Sequence, residues 1–184
     1  MDHYIDIKLQ PDAEMRENVL LNKVYTKFHK ALFDLNNKTI GVSFPAYKVL
    51  LGRTIRLHSD ISMLRDLQGI NWLGDLSGYC QISEIAKVPD NVKYRVISRK
   101  QSNMTFAKLK RLKARGSITT SEEEKTYKQK MFGYSLDNPY FELESASNGN
   151  QHRRFIQFSD LLDESIDGKF DDFGLSKVAT VPWF

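Results

Sequence analysis

The side chains best suited to acid–base chemistry are the four histidines His3, His29, His58 and His152. No two of them stand at the i, i+4 spacing of a helical metal site, and no acidic cluster surrounds them at ligand spacing. The single cysteine, Cys80, excludes an internal disulfide and a cysteine-based zinc site. Asp171 and Asp172 would point apart on an extended segment, whereas a two-metal nuclease needs several converging carboxylates. The sequence therefore predicts neither a metal nor a cofactor.

Positive charge is concentrated in one stretch of the chain. Residues 1–90 balance 11 Lys/Arg against 11 Asp/Glu, whereas residues 91–121 contain no acid and nine cations. These are Lys93, Arg95, Arg99, Lys100, Lys108, Lys110, Arg111, Lys113 and Arg115. Because unrelieved like charge costs stability, the stretch indicates a polyanionic partner, although a merely basic surface is the alternative. A membrane fits less well, since the stretch lacks a broad apolar face with aromatic anchors.

RNA is one polyanion that can be cut without a metal, because its own 2′-hydroxyl attacks the adjacent phosphate. One histidine can transfer the protons, a contribution of roughly 10²–10⁴ in rate, while a fixed hydroxyl or cation orients the nucleophile. His29 stands beside Phe28 at the border of a helical apolar stripe, where a packing or surface role is the commoner outcome. Ser145 and Ser147 precede a turn, a place where serines are usually structural.

The elements that must position these residues alternate in the first half of the chain. The pattern predicts strands at His3–Leu9, Thr39–Phe44, Thr54–His58 and Gly78–Ser83, and helices at about 14–35 and 60–68. Asp12 is the predicted N-cap of the first helix. The order β-α-β-β-α-β predicts an α+β fold with an N-terminal ferredoxin-like domain, the plan of RNA-recognition modules.

The second half follows another plan. It predicts a strand at Val92–Arg99, a basic helix at about 105–115, and a short helix whose capping box is Ser121 with Glu124. Paired strands at Tyr140–Ser145 and Arg153–Phe158 would flank the Asn148-Gly149-Asn150 turn, and the Trp183-Phe184 pair is expected to be packed. We therefore predict two domains, residues 1–90 and residues 91–184.

The composition is that of a globular domain, with 184 residues of which 41% are hydrophobic and 27% charged. No apolar run reaches the length of a membrane span, and the first residues do not resemble a secretory signal. Together with the single cysteine, these features predict a cytoplasmic location.

Five strings resemble one family. They are MDHYIDIKLQPD at the start, His29 in KFHKAL, IGVSFP at 40–45, SASNG at 145–149 and GLSK…VPWF at 174–184. This pattern is similar to the type I-F CRISPR-associated endoribonucleases of the Csy class, which process precursor CRISPR RNA. The resemblance implies metal-free cleavage at the 3′ base of the repeat hairpin, leaving a 2′,3′-cyclic phosphate and a 5′-hydroxyl. It further implies an enzyme that is a monomer when alone and then stays on the mature guide RNA among other surveillance-complex subunits.

The resemblance also implies roles for particular residues. The catalytic histidine falls on His29, and the serine that holds the 2′-hydroxyl falls on Ser145, with Ser147 as the near alternative. Base readers near the stem fall on Arg99 and Gln101. In the basic helix, Arg111 and Arg115 are the candidates for contact with guanine, because a guanidinium group can bind the guanine edge with two hydrogen bonds. The lysines are the candidates for phosphate contacts, and they are Lys108, Lys110 and Lys113.

Two positions depart from the family pattern. Phe173 stands where the family has an active-site tyrosine, so this chain must position His29 or the substrate in another way or do without that contact. The aromatic residue that stacks on RNA falls on His152, and Phe155 is its possible replacement. A non-catalytic hairpin-binding subunit and a basic domain of general RNA affinity therefore remain alternatives to the enzyme.

Overall fold

The computed structural model of the chain describes residues 1–101, 104–133, 137–144, 149 and 151–184. Two compact units are present, one formed by Met1–Arg99 with Pro139–Phe184 and the other by Lys100–Asn138. Apart from Lys100 at the end of one strand, both β-sheets lie in the first unit. The predicted mixture of helices and antiparallel sheets is confirmed, while the predicted division after residue 90 stays a prediction.

The first sheet follows the predicted order of elements. These are β1 (His3–Leu9), α1 (Glu17–Asp34), β2 (Gly41–Ser43), β3 (Thr54–Ser59), α2 (Ile61–Gly69) and β4 (Cys80–Ile82). The strands lie in the order β2-β3-β1-β4 with antiparallel pairing, and a two-residue strand, β5 (Ala86–Lys87), also pairs with β1. A 3₁₀ segment at Gly74–Tyr79 shortens the fourth predicted strand from its start.

The start of α1 differs from the prediction. Asp12 does not cap the helix, because its carboxylate accepts hydrogen bonds from the backbone N–H groups of Glu14 (2.9 Å) and Met15 (2.7 Å) in a separate turn. Arg16 is extended at the N-cap, so the helix begins at Glu17. At α2 the boundary is as expected, since Asp60 accepts from the Met63 N–H at 2.9 Å.

The core of the first unit fixes α1 in place. The helix buries Leu20, Val24, Phe28 and Leu32 completely, in a cluster that includes strand residues such as Ile7. Each such side chain contributes roughly 1.5–3 kcal/mol when it is fully buried. Packing of these buried residues therefore fixes the position of the neighbouring, less buried face of α1, which carries His29.

The second sheet contains β6 (Lys93–Lys100), β7 (Tyr140–Glu144), β8 (Gln151–Phe158) and β9 (Thr180–Trp183) in the order β7-β8-β6-β9. The predicted pairing of β7 with β8 is confirmed. Of the turn between them only Gly149 is described, with φ of 68°, and Asn148 and Asn150 lie outside the described residues. Trp183 packs on Arg95, and Phe184 packs edge-on against Tyr4, so the predicted packing of this pair is confirmed.

The second unit contains two helices, α3 (Phe106–Ala114) and α4 (Ser121–Gly133). The predicted capping box of α4 is wrong by one residue. The Thr120 hydroxyl accepts from the Glu123 N–H (3.2 Å), and the Glu123 carboxylate accepts from the Thr120 N–H (3.1 Å). Glu124 instead binds Lys113 (2.6 Å) and Lys128 (2.7 Å), which connects the two helices.

Candidate functional site

A tight turn at 171–174 carries the groups that surround His29. The Asp171 carboxylate accepts hydrogen bonds from the N–H groups of Phe173 (2.9 Å) and Leu175 (3.0 Å), while the Gly174 N–H donates to the Asp171 carbonyl (2.9 Å). Gly174 has φ of +69°, a conformation that favours glycine. Asp171 therefore organises the turn through its Oδ1 atom.

Groups on α1 and β2 bind the other three carbonyl oxygens of this turn, those of Asp172, Phe173 and Gly174. His29 Nδ1 lies 2.7 Å from the Asp172 oxygen, and the Tyr25 hydroxyl donates to the Phe173 oxygen at 2.7 Å. The Val42 N–H donates to the Gly174 oxygen at 3.0 Å. Complete burial raises the pKa of Tyr25 well above 10, so its hydroxyl keeps the proton that it donates. Tyr25 and His29 are one helical turn apart on α1, which lets one helix face bind two successive carbonyls.

Two glycines allow the close approach of these segments. A Cβ on Gly174 would lie 3.2 Å from the Phe28 ring, and a Cβ on Gly41 would lie 2.6 Å from Val181 Cγ1 and 2.8 Å from Phe170. Larger residues at these positions would push the turn or β9 away from α1 and β2. The GLSK string thus contains the glycine that lets the turn approach α1, and the GVSFP string contains the glycine that lets β9 and Phe170 approach β2.

His29 is half-buried and is oriented by two contacts. A carbonyl oxygen can only accept, so the 2.7 Å contact with Asp172 places a hydrogen on Nδ1. Among the described residues, no hydrogen bond involves Nε2. The imidazole also stacks on Phe173, with ring centroids 3.7 Å apart and planes 9° apart. The structure thus brings together two residues singled out in the sequence and leaves the second nitrogen available for proton transfer.

The Asp172 side chain is oriented separately from its carbonyl. Its carboxylate forms an ion pair with Lys38, a residue that the sequence analysis did not single out. The carboxylates of Asp171 and Asp172 therefore serve different partners, and they do so on a turn rather than on the extended segment considered in the sequence analysis. In the described part of the chain, no group of three or more His, Cys, Asp or Glu side chains is arranged to hold a metal ion.

Arg154 lies against Phe173, and the charge of Arg99 acts on Arg154. Arg154, on β8, places its Cζ 3.4 Å from the centroid of the Phe173 ring, and it is 7% exposed. Arg99 is half-buried near the end of β6. Burial, and next the charge of Arg99, lower the pKa of Arg154. The Nε atoms of both arginines are buried without a hydrogen-bond partner in the described structure.

Arg154 is the main site residue that sequence reasoning missed. Its signal was the alternation of β8, because Arg154, Ile156 and Phe158 share the inward face. An arginine at an inward strand position is uncommon and could have been noticed. Its partner on the neighbouring strand is Phe141, whose ring stacks on Tyr25 at 3.7 Å.

The two candidates for stacking on RNA lie on opposite faces of β8. His152 is exposed and, by strand alternation, shares the face of Arg154. Phe155 is half-buried on the other face, with its ring 5.3 Å from that of Tyr140. Only His152 is therefore on the same face of the strand as the groups around Phe173.

The net positive charge of the chain resides in the second unit. Lys100–Asn138 contains nine Lys/Arg and four Asp/Glu, a formal charge of +5, and the remaining residues sum to −1. On α3, no ion pair within the described structure involves Lys108, Lys110, Arg111 or Arg115, all of which are exposed. The nine cations that the sequence places between residues 91 and 121 are a different set, and they are not all uncompensated, because acids outside that stretch reach two of them. Lys93 pairs with Asp163 and Lys113 with Glu124.

For three further predicted site residues, the described structure gives no contact with His29 or its neighbours. Ser145 and Ser147 lie outside the described residues, immediately after the end of β7 at Glu144. Gln101 is exposed in the second unit.

Among the helices that are described, none has the length and apolar character needed to cross a membrane.

Comparison with known proteins gives consistent matches along the whole chain. The family model described as CRISPR-associated protein (Cas_Csy4) matches residues 4–184. A CRISPR-associated endonuclease Cas6/Csy4 of Escherichia coli (strain UTI89 / UPEC) is 34% identical over 184 residues, covering 100% of both chains. A protein of the same name from Pseudomonas aeruginosa (strain UCBPP-PA14) is 36% identical over 187 residues, again covering 100% of both. A solved structure of the CRISPR endoribonuclease Cse3 bound to 19 nt RNA covers 99% of this chain and 100% of its own, with 14% identity and a TM-score of 0.37, too low to carry an argument.

Proposed function

This chain belongs to the Cas_Csy4 family of CRISPR-associated proteins, and we propose that it is a metal-independent endoribonuclease that processes precursor CRISPR RNA. It cuts at the 3′ base of the repeat hairpin and leaves a 2′,3′-cyclic phosphate and a 5′-hydroxyl. The observation that supports this reaction best is the orientation of His29. Its Nδ1–H is committed to a backbone carbonyl, and its Nε2 is free among the described residues to exchange a proton with the RNA.

The proposed reaction needs only groups that RNA and this site contain. Nε2 of neutral His29 accepts the proton of the 2′-hydroxyl while that oxygen forms a bond to phosphorus. The bond from phosphorus to the 5′-oxygen breaks, and that oxygen leaves as a hydroxyl by taking up the proton that His29 Nε2 accepted from the 2′-hydroxyl. Such proton transfer contributes roughly 10²–10⁴ in rate. Ser145, or Ser147 in its place, orients the 2′-hydroxyl in this proposal.

Binding of the hairpin depends on the cations. The exposed lysines of α3, Lys108 and Lys110, meet phosphates, while Arg111 and Arg115 pair with guanine edges. Lys113 can join them only by sharing its charge with Glu124. Near the cut site, Arg99 and Gln101 read bases, and His152 stacks on RNA more readily than Phe155, whose ring already contacts Tyr140.

The fold and setting belong to the same proposal. Residues 1–90 form a ferredoxin-like domain that carries His29, and residues 91–184 form the half that recognises the hairpin. The protein works in the cytoplasm as a monomer until the cut RNA joins it to other subunits of the type I-F surveillance complex.

The test is cleavage of repeat RNA in EDTA by the wild type and two His29 variants. His29→Ala removes the imidazole entirely, whereas His29→Asn keeps an N–H near the position of Nδ1 but has no group at the position of Nε2. Both variants should lose about 10²-fold or more in cleavage rate while their RNA affinity is kept. His3→Ala, which removes an imidazole paired with Asp2 at 3.0 Å, is the matched control and should cut normally.

Two results would reject the proposal. Full activity of His29→Asn would mean that Nε2 transfers no proton in the reaction. A wild-type protein that binds repeat RNA tightly and leaves it intact after long incubation, with or without EDTA, would identify a non-catalytic hairpin-binding subunit. Mapping the product ends separates this reaction from metal-dependent hydrolysis, which leaves no cyclic phosphate.

A further inference from the structure

His29, Phe173 and Arg154 form a column of three stacked planar groups. The His29 and Phe173 ring centroids are 3.7 Å apart, and the guanidinium carbon of Arg154 lies 3.4 Å from the same Phe173 centroid. Both separations are those of direct face contact. The three groups come from α1, the 171–174 turn and β8, so the column joins three elements.

Arg154 occupies this position at an energetic cost. It is 7% exposed, its Nε has no hydrogen-bond partner in the described structure, and the nearby Arg99 repels its charge. Attraction to Asp171 offsets this only in part, because the pKa of Arg154 remains lowered. Burying a charge without a matched partner is unfavourable, and an apolar residue of similar volume often leaves stability unchanged or higher. Stability alone therefore does not account for an arginine here.

We propose that Arg154 is a positioning residue that acts through Phe173 to set the plane of the His29 imidazole, a role that rests on the proposed ribonuclease function. The hydrogen bond from Nδ1 to Asp172 fixes one point of the imidazole but allows the ring to turn about that bond. The Phe173 face fixes the plane, and Phe173 itself needs support on its other face. The Arg154 guanidinium supplies that support, since it is flat, rigid and attracted to the ring.

The test compares Arg154→Leu and Arg154→Lys with the wild type. Leucine removes both the plane and the charge, whereas lysine keeps the charge and removes the plane. With saturating protein, both variants should cleave roughly 10- to 100-fold more slowly, the scale of a misplacement of about 1 Å. Urea unfolding of Arg154→Leu should show stability equal to or above that of the wild type.

Two readouts separate positioning from direct RNA contact. Removal of a phosphate contact would lower the log–log salt slope of binding by about 0.7–0.9, whereas positioning predicts an unchanged slope and an unchanged Kd. In NMR spectra, the imidazole signals of His29 should lose the upfield shift that stacking on Phe173 causes. A lower salt slope, or a normal rate for Arg154→Lys, would overturn the proposal.

Arg153 provides the matched control from the same strand. It points to the other face of β8, pairs with Glu142 at 3.0 Å and lies over the Tyr140 ring. Arg153→Leu removes the same charge and should leave the cleavage rate intact. An equal loss in this variant would mean that the strand, and not the column, is disturbed.

Failure of this inference is distinguishable from failure of the proposed function. If the wild type does not cut, or if His29→Asn cuts normally, the ribonuclease mechanism itself is wrong. If both behave as proposed and Arg154→Leu cuts at the normal rate, only the positioning role is wrong.

Discussion

His58 makes the stability of the fold depend on pH in the range where cleavage would be assayed. It is fully buried on β3, with Nε2 2.8 Å from the Ser43 hydroxyl and Nδ1 without a partner among the described groups. Burial, and next the charge of Arg56, lower the pKa of His58 from 6.5 to about 3. Between pH 6.5 and about 3, the imidazole is therefore neutral in the folded protein and becomes charged once the chain unfolds.

The direction of the effect follows from proton binding. Between pH 6.5 and about 3 the unfolded chain binds a proton at His58 and the folded chain does not. The free energy of unfolding is thus unaffected above pH 6.5, falls as the pH drops below that value, and levels off near 3. Relative to pH 7, the loss at pH 5 is about 2 kcal/mol, from 1.36 kcal/mol for each pH unit crossed.

Urea unfolding at pH 7 and pH 5 measures this loss directly. His58→Gln can keep a hydrogen bond to Ser43 but has no titrating group, so its difference between the two pH values should be smaller by about 2 kcal/mol. His152→Gln, which changes an exposed histidine, should keep the wild-type difference. If His58→Gln loses as much stability as the wild type, His58 is not the group responsible.

This result also decides how a pH–rate profile is interpreted. If His29 is the general base, as proposed, it must be neutral to accept a proton, and acid would lower the cleavage rate for a chemical reason. Partial unfolding through His58 would lower the rate in the same direction. A His58→Gln protein that stays folded at pH 5 and still loses activity would assign the fall to the cut site.

Two further predictions concern the glycine packed at β2 and the basic helix. Gly41→Ala should lower the free energy of unfolding by roughly 1–3 kcal/mol in urea titrations, because there is no room for its methyl group. Gly69→Ala has nothing within 4 Å and should be neutral or slightly stabilising, so equal effects of the two substitutions would contradict the close approach at β2. Lys108→Gln and Lys110→Gln should each reduce the log–log salt slope of RNA binding by about 0.7–0.9 in filter-binding titrations. Lys113→Gln should reduce the slope less, because Glu124 already binds its ammonium group. A larger reduction for Lys113→Gln than for the other two would contradict the proposed phosphate contacts.

Local pattern was enough to predict most elements of the fold. The strand at His3–Leu9 has the predicted bounds, because alternation places Ile5, Ile7 and Leu9 on the buried face. Boundaries were less secure wherever a polar side chain had two local uses. Asp12 could cap a helix or close a short turn, and the backbone N–H groups within its reach decided for the turn.

The capping box of α4 shows why such boundaries are ambiguous. Thr120 with Glu123 and Ser121 with Glu124 both match the spacing of a capping box, so local sequence cannot choose between them. The choice is made by a contact from another helix. Glu124 is drawn to Lys113 on α3, which leaves Glu123 to cap.

The site itself could not be built from periodicity, because its groups are far apart in sequence. His29 and Asp172 are separated by 143 residues, and no local pattern indicates that the turn carbonyl meets the imidazole. The resemblance located His29 and Phe173 but gave no geometry. Arg154 escaped notice because a basic residue beside a turn is usually assigned to solvent or to RNA.

The strings that carried the resemblance prove to be places where the structure allows few alternatives. Gly41 lies against Phe170 and Val181, and Gly174 combines a positive φ with contact to Phe28. Gly174 lets the 171–174 turn lie against α1, Gly41 lets β9 and Phe170 lie against β2, and the turn orients His29 through a carbonyl and through Phe173. In the proposed mechanism, chemistry at Nε2 of His29 thus depends on backbone positions that do not react. A substitution that lifts the turn would therefore impair cleavage without changing any residue that touches RNA.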